Sequence, residues 1–150
     1  MHYMMREDIM TPREMVESCL CAKTRAAARS LTSAYDETLR PVGLRATQLA
    51  VLAAVAIDGS VSITALAKLL SMDRSTLSRN LGPLEESGLV KIGIEGWRRS
   101  RMLAITKTGE ARLAMALPLW ERAQKTLREK LGDREWANAS RSLDRLLSAS

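Results

Sequence analysis

The sequence predicts a mostly α (α+β) fold, and three observations carry that expectation. Apolar residues recur at three-and-four spacing along most of the 150 residues, the period of an amphipathic helix. The period changes to two only between Val90 and Ile105, which is enough for one hairpin. Eight glycines and four prolines are too few for the tight turns of an all-β sandwich. The length is that of a single domain.

The elements follow in order. Thr11-Pro12-Arg13-Glu14 reads as a helix start, with threonine as N-cap, proline in the first turn and glutamate completing a capping box. Helical spacing then continues through Met15, Val16, Cys19, Leu20, Ala27, Leu31, Ala34 and Tyr35 to about Leu39, where Pro41 and Gly43 stop it. Ala46 to Ile57 is a second helix, apolar almost all round and therefore buried, and Asp58-Gly59 ends it. Ser62 caps a third helix through Ile63, Leu66, Ala67 and Leu70. The turn Ser71-Met72-Asp73 leads into a fourth, Arg74 to Ser87, with Asp73 as N-cap and Leu77, Leu81 and Leu84 facing inward. Gly88 stands where a left-handed cap is wanted, and Pro83 predicts a kink or local break.

Val90, Ile92 and Ile94 then alternate with Lys91, Gly93 and Glu95 as a strand. Gly96 to Ser100 is a polar turn, and Arg101 to Ile105 is the returning strand. Thr106 caps a long helix to about Leu131, broken or bent at Pro118. Gly132-Asp133 divides it from a last helix carrying Trp136, Leu143, Leu146 and Leu147. No internal repeat or low-complexity linker interrupts this order.

Composition narrows the function classes. The chain is 46% hydrophobic and 27% charged, a soluble mix. Its longest apolar run, Leu49 to Ile57, is nine residues, against the ~20 that cross a bilayer. Arg6, Glu7 and Asp8 interrupt any signal-peptide pattern, so the expected location is cytoplasmic, with no membrane partner. One histidine, His2, and two cysteines, Cys19 and Cys21, cannot assemble a four-ligand zinc site, and neither metal nor cofactor is expected. A catalytic triad would need His2 deep in the fold, so no enzyme is expected. In a regular helix Cys19 and Cys21 point about 200° apart and do not bridge. The excess of 23 basic over 17 acidic residues, net +6, favours a polyanion partner.

The middle of the chain places that charge. Two short helices joined by a three-residue turn have helix-turn-helix spacing. The outward arc of the second carries Ser75, Thr76, Arg79 and Gly82, small groups that allow close approach plus a cation that reaches guanine O6 and N7. Its first turn, Arg74 to Thr76, can offer N–H groups to a phosphate. The hairpin tip Gly96-Trp97-Arg98-Arg99-Ser100-Arg101 holds three arginines in six residues, suited to the negative potential of a minor groove. Together these predict a winged helix-turn-helix over about 46–106, with long N- and C-terminal dimerisation helices over about 11–40 and 107–149. All belong to one domain spanning 1–150.

Beyond these patterns, the chain resembles the multiple-antibiotic-resistance regulator (MarR) family over nearly its whole length. The resemblance rests on Gly43-Leu44 through Gln48, Ile63 to Ala67, Asp73 to Arg79, Leu84-Glu85-Glu86-Ser87-Gly88-Leu89-Val90, and Arg99 to Arg101 running on to Ile105-Thr106-Lys107-Thr108-Gly109. It implies an obligate homodimer on palindromic double-stranded DNA, a repressor released by a small ligand or by oxidation. It assigns base reading to Ser75, Thr76, Ser78 and Arg79 and minor-groove insertion to Arg99; Arg74, Arg98 and Arg101 complete the candidate DNA-binding set. The family commonly has an aspartate two residues before the wing arginine, where this chain has Trp97; Glu95 is the nearby substitute.

The outer helices carry more apolar residues than a ~45-residue core covers, including Leu113, Leu117, Trp120, Leu127 and Leu131 with Gln124 interrupting the stripe. A partner subunit's helices are the expected cover. By ungapped counting from Gly43-Leu44, Cys21 falls where the organic-hydroperoxide-sensing branch of the family has its reactive cysteine. Tyr35 matches the tyrosine that partners the thiol, and Arg25 replaces a second family tyrosine. Fourteen residues is ~21 Å of helix rise, so such a contact would come from the partner chain. Two effectors therefore stand side by side, a small aromatic ligand or a hydroperoxide sensed by Cys21, next to the alternative of control that is constitutive or of another kind. Outside regulation, a redox enzyme using Cys21 lacks a histidine base. A helical interaction module would not need the arginine-rich tip.

Overall fold

The computed structural model describes residues 10–95 and 100–149. They form two compact units divided after Ser33. The smaller unit holds α1 (Pro12–Ser18) and the first part of α2 (Leu20–Leu39). The capping box forms as expected: Thr11 Oγ1 accepts the Glu14 N–H at 3.2 Å, and Glu14 Oε2 accepts the Thr11 N–H at 2.7 Å.

The single helix expected from Thr11 to Leu39 is broken at Cys19, whose backbone is extended (φ −63°, ψ 111°). Ser18 Oγ donates to the Glu14 carbonyl at 2.6 Å, the same bond that Thr24 and Thr38 make inside the unbroken α2, so the change of direction lies at the Cys19 backbone. Cys19 Sγ then accepts the Ala22 N–H at 3.5 Å and opens α2. Apolar periodicity carries across such a break, so it leaves no trace in the pattern. No residue of the segment 10–33 is buried.

The larger unit begins within α2. A 3-10 turn, Arg40–Val42, closes on Gly43, whose φ of 65° is left-handed. α3 (Ala46–Asp58) is capped from α2, since Asp36 Oδ1 accepts the Ala46 N–H at 2.7 Å. A short strand, β1 (Ser60–Ser62), leads into α4 (Ile63–Leu69), where Ser62 Oγ accepts the Ala65 N–H. After the turn come α5 (Arg74–Glu86), β2 (Val90–Glu95) and β3 (Ser100–Ile105). The sheet is antiparallel in the order β1-β3-β2, with Val61 opposite Leu103 and Ile92 opposite the same residue on the other side. β1 was not expected: three residues are too few to display a period.

The core is leucine-rich. Leu39, Leu52, Leu66, Leu77, Leu84, Leu89 and Leu103 are fully buried, together with Val51 and Val55 from α3. Burying each such side chain contributes about 1.5–3 kcal/mol. α6 (Lys107–Leu131) and α7 (Asp133–Ala149) complete the unit, divided at Gly132.

Neither interior proline interrupts its helix. Pro83 stands in the last turn of α5, and the preceding Gly82 has no Cβ to clash with the ring. Pro118 stands inside α6, which continues thirteen residues beyond it to Leu131. A local break, one of the two outcomes expected at each of these positions, therefore does not occur.

Candidate nucleic-acid interface

α5 is held by one face and exposed by the other. Leu77, Leu81 and Leu84 are at most 3% exposed, which fixes the helix's rotation about its axis. Arg74, Ser75, Ser78 and Arg79 are exposed on the opposite arc, and Thr76 is half-buried beside them. The structure thus brings five of the candidate residues onto one helix.

Asp73 organises this arc. Its Oδ1 accepts the Thr76 N–H at 2.7 Å and the Ser75 hydroxyl at 2.6 Å, and its Oδ2 accepts the Thr76 hydroxyl at 2.8 Å. The Ser75 hydroxyl, followed by the Thr76 N–H and hydroxyl, holds the carboxyl well below the usual carboxylate range. Thr76 in turn accepts from Arg79 Nη2 at 3.4 Å, and its carbonyl accepts from Asn80 Nδ2 at 2.9 Å. The first turn was expected to offer its N–H groups to a phosphate. Asp73 already satisfies that of Thr76, and its negative charge opposes an anion at that end.

Arg101 is exposed on β3, in register with Ile94 of β2. Arg98, Arg99 and Trp97 lie outside the described residues, as does the side chain of Glu95. At the foot of the hairpin Thr106 Oγ1 accepts the Gly109 N–H at 3.0 Å and donates to the Gly88 carbonyl at 2.6 Å, joining the end of α5 to the start of α6.

A cleft of about 410 Å³ opens elsewhere in the larger unit, lined by Tyr35, Leu49, Ala50, Ala53, Leu117 and Trp120 along with Ala46. Its volume falls within the range of small-molecule sites. The Tyr35 hydroxyl donates to Gln124 Oε1, and burial pushes the phenol up, so it remains a neutral donor at neutral pH. Gln124 had read as an interruption of an apolar stripe; it is the polar partner of Tyr35, 89 residues away. Sequence reasoning also missed Arg112, whose Nη1 donates to the Val42 carbonyl at 2.9 Å and ties α6 to the 3-10 turn. No pattern in either segment signals that bond.

The thiols are both free, with Cys21 exposed and Cys19 half-buried in the smaller unit. Among the described residues no group of three or more His, Cys, Asp or Glu side chains is placed to hold a metal ion. No single helix among them is long and apolar enough to cross a membrane.

Residues 44–92 match a family model described as a helix-turn-helix domain. The transcriptional regulator MosR of M. tuberculosis, in complex with DNA, is 35% identical with a TM-score of 0.80, over 88% of this chain and 96% of that one. MarR of E. coli, as a mutant complexed with operator DNA, has a TM-score of 0.78 at 23% identity, over 89% of this chain and 97% of that one. The chain belongs to the MarR family.

A MarR-family regulator from Rhodococcus sp. RHA1 has the same fold, with a TM-score of 0.76 at 20% identity over 90% of this chain and 96% of that one. No curated protein matches the chain. The winged helix-turn-helix expectation holds, and the helix-turn-helix match spans α3 through part of β2, including all of α5. The chain is a MarR-family DNA-binding transcriptional regulator.

Proposed function

We propose that this MarR-family regulator is a homodimeric repressor, bound to a palindromic operator and released by a small aromatic ligand. The observation that carries the reading is the exposed Ser75-Ser78-Arg79 arc on a helix whose other face is locked into the core. Small hydroxyls with one arginine suit the major groove, where a guanidinium pairs with guanine O6 and N7. Arg99 and its neighbours at the hairpin tip are assigned to the minor groove.

Exposed apolar residues support the dimer. Met15, Val16 and Leu20 in the smaller unit and Leu143 on α7 are each 47% exposed or more. A second copy of the chain would cover such faces, and two-fold symmetry would set two α5 helices ~34–36 Å apart on one side of DNA. The cleft at Trp120 and Tyr35 supports the ligand: its walls are aromatic and aliphatic, and Tyr35, bonded to Gln124, is one of them.

The test is a gel shift with DNA from upstream of the chain's own gene, alongside sedimentation to measure mass. A dimer that shifts a palindromic fragment and releases it on addition of simple phenols or naphthols is expected. A monomer, or binding indifferent to sequence, would overturn the reading.

One observation favours a second effector. Cys21 is exposed on the first turn of α2, so an organic hydroperoxide has access to it. Its thiolate would attack the peroxide oxygen and give a sulfenic acid, with an alcohol leaving. Tyr35 takes the part of hydroxyl partner in that reading, across the dimer.

A further inference from the structure

We propose that Asp73 sets the hydrogen-bond polarity of the DNA-reading face, so that Ser75 and Thr76 meet the bases as acceptors only and select an amino group, adenine N6 or cytosine N4. The inference rests on the reading of α5 as the major-groove helix. A cap needs only the bond from the Thr76 N–H to Asp73. Here the carboxylate makes two more, to the hydroxyls of Ser75 and Thr76.

An ionised carboxylate only accepts, so both hydroxyl protons point at Asp73. Each hydroxyl has one proton, and what remains to face the groove is lone pairs. Arg79 Nη2, 3.4 Å from Thr76 Oγ1, already lies on that accepting side. In the major groove adenine and cytosine present amino donors, whereas guanine and thymine present only acceptors. The arc therefore sets a donor, Arg79, beside two acceptors, and the three side chains discriminate different bases. Asp73 is a positioning residue here, acting through the hydroxyls.

Asp73→Asn separates capping from polarity. Asparagine caps as well as aspartate. With its oxygen held by the Thr76 N–H, its amide nitrogen takes the place of Oδ2 opposite Thr76 Oγ1. Thr76 must then accept from the amide, and its own proton is released toward the groove.

The experiment is selection of bound duplexes from a pool with a randomised operator, using the full-length wild type, Asp73→Asn, Thr76→Val and Ser75→Ala. Wild type is expected to enrich adenine or cytosine at the positions that Ser75 and Thr76 contact. Thr76→Val flattens one position. Asp73→Asn shifts that same position toward guanine or thymine by roughly tenfold and leaves the Arg79 position unchanged. Identical base profiles for wild type and Asp73→Asn overturn the proposal while the DNA-binding reading stands. If Asp73→Asn does not fold by thermal melting, the single hydroxyl variants decide. Guanine or thymine selected by wild type at the positions that Ser75→Ala or Thr76→Val flattens would equally overturn it. Failure of wild type to enrich any sequence removes the underlying reading and this inference with it.

Discussion

Gly109 packs against Leu89 so closely that a Cβ would stand 2.0 Å from the Leu89 carbonyl oxygen and 2.8 Å from Ile105 Cγ1. The contact sits where the hairpin's first strand begins and α6 starts, and the Thr106 hydroxyl bonds to Gly88 beside it. The obstacle is backbone, which cannot swing aside as a flexible side chain would. Gly109→Ala is therefore expected to destabilise the fold by about 3 kcal/mol, the upper end of overpacking costs. Urea denaturation reads this directly, and a midpoint equal to wild type would mean that the helix start relocates freely.

Asp73 predicts a pH signature in stability. Its carboxyl titrates well below the ordinary value of 3.8 in the folded chain, owing to bonds from Ser75 and Thr76. A depressed carboxyl stabilises the fold fully above 3.8, and that stability is lost as pH falls through the window beneath it. The difference in urea midpoint between wild type and Asp73→Ala should be constant from pH 7 to about 5 and narrow below 3.8. A difference that persists unchanged in acid would mean that the cap acts through something other than the carboxylate.

Much of this was legible in the residues. Thr11, Ser62, Asp73 and Thr106 each cap a helix by accepting the N–H three residues on, because a short oxygen-bearing side chain just before a helix reaches the unpaired N–H groups of its first turn. The Leu77-Leu81-Leu84 stripe and the hairpin's alternation are local, periodic signals of the same kind. What stayed hidden is non-local or too small. Tyr35 finds Gln124, and Arg112 finds Val42, across stretches of chain that no period connects. β1 is held by partner strand bonds rather than by its own pattern. The extended backbone at Cys19 breaks a helix while leaving the apolar spacing intact. On α5 the outward arc of hydroxyls was legible, but the carboxylate's hold on Ser75 and Thr76 was not.

DNA binding should fall steeply with salt. If a dimer neutralises ~6–10 phosphates, log K declines against log salt with a slope near −0.9 per contact. Arg79→Ala should cost ~1–3 kcal/mol of binding and relax base preference, whereas Arg99→Ala should weaken binding mainly at A·T-rich flanks. A slope near zero on the selected duplex, or two variants that bind like wild type, would place the DNA on another surface.

The cleft offers a way to separate effector sensing from DNA binding. Ala50 and Ala53 lie one turn apart on α3 and owe the cavity its width to their single methyl groups, opposite Leu117 and Trp120. Ala53→Phe would place a ring where a ligand ring is proposed, in a cleft of about 410 Å³ that is open to solvent and has room for it. The variant should therefore fold and bind operator DNA as wild type does, because α5 contributes nothing to the lining. Its sensitivity to phenol or 1-naphthol, read as the concentration that releases half of the DNA, should drop by roughly tenfold or more, the cost of excluding a ring from an apolar pocket. Cys21→Ser serves as the control from the other proposed effector: it should leave release by phenols untouched and abolish release by organic hydroperoxide. Unchanged phenol sensitivity in Ala53→Phe would remove the ligand from this cleft. Loss of hydroperoxide response in Ala53→Phe but not in Cys21→Ser would remove the thiol from the mechanism.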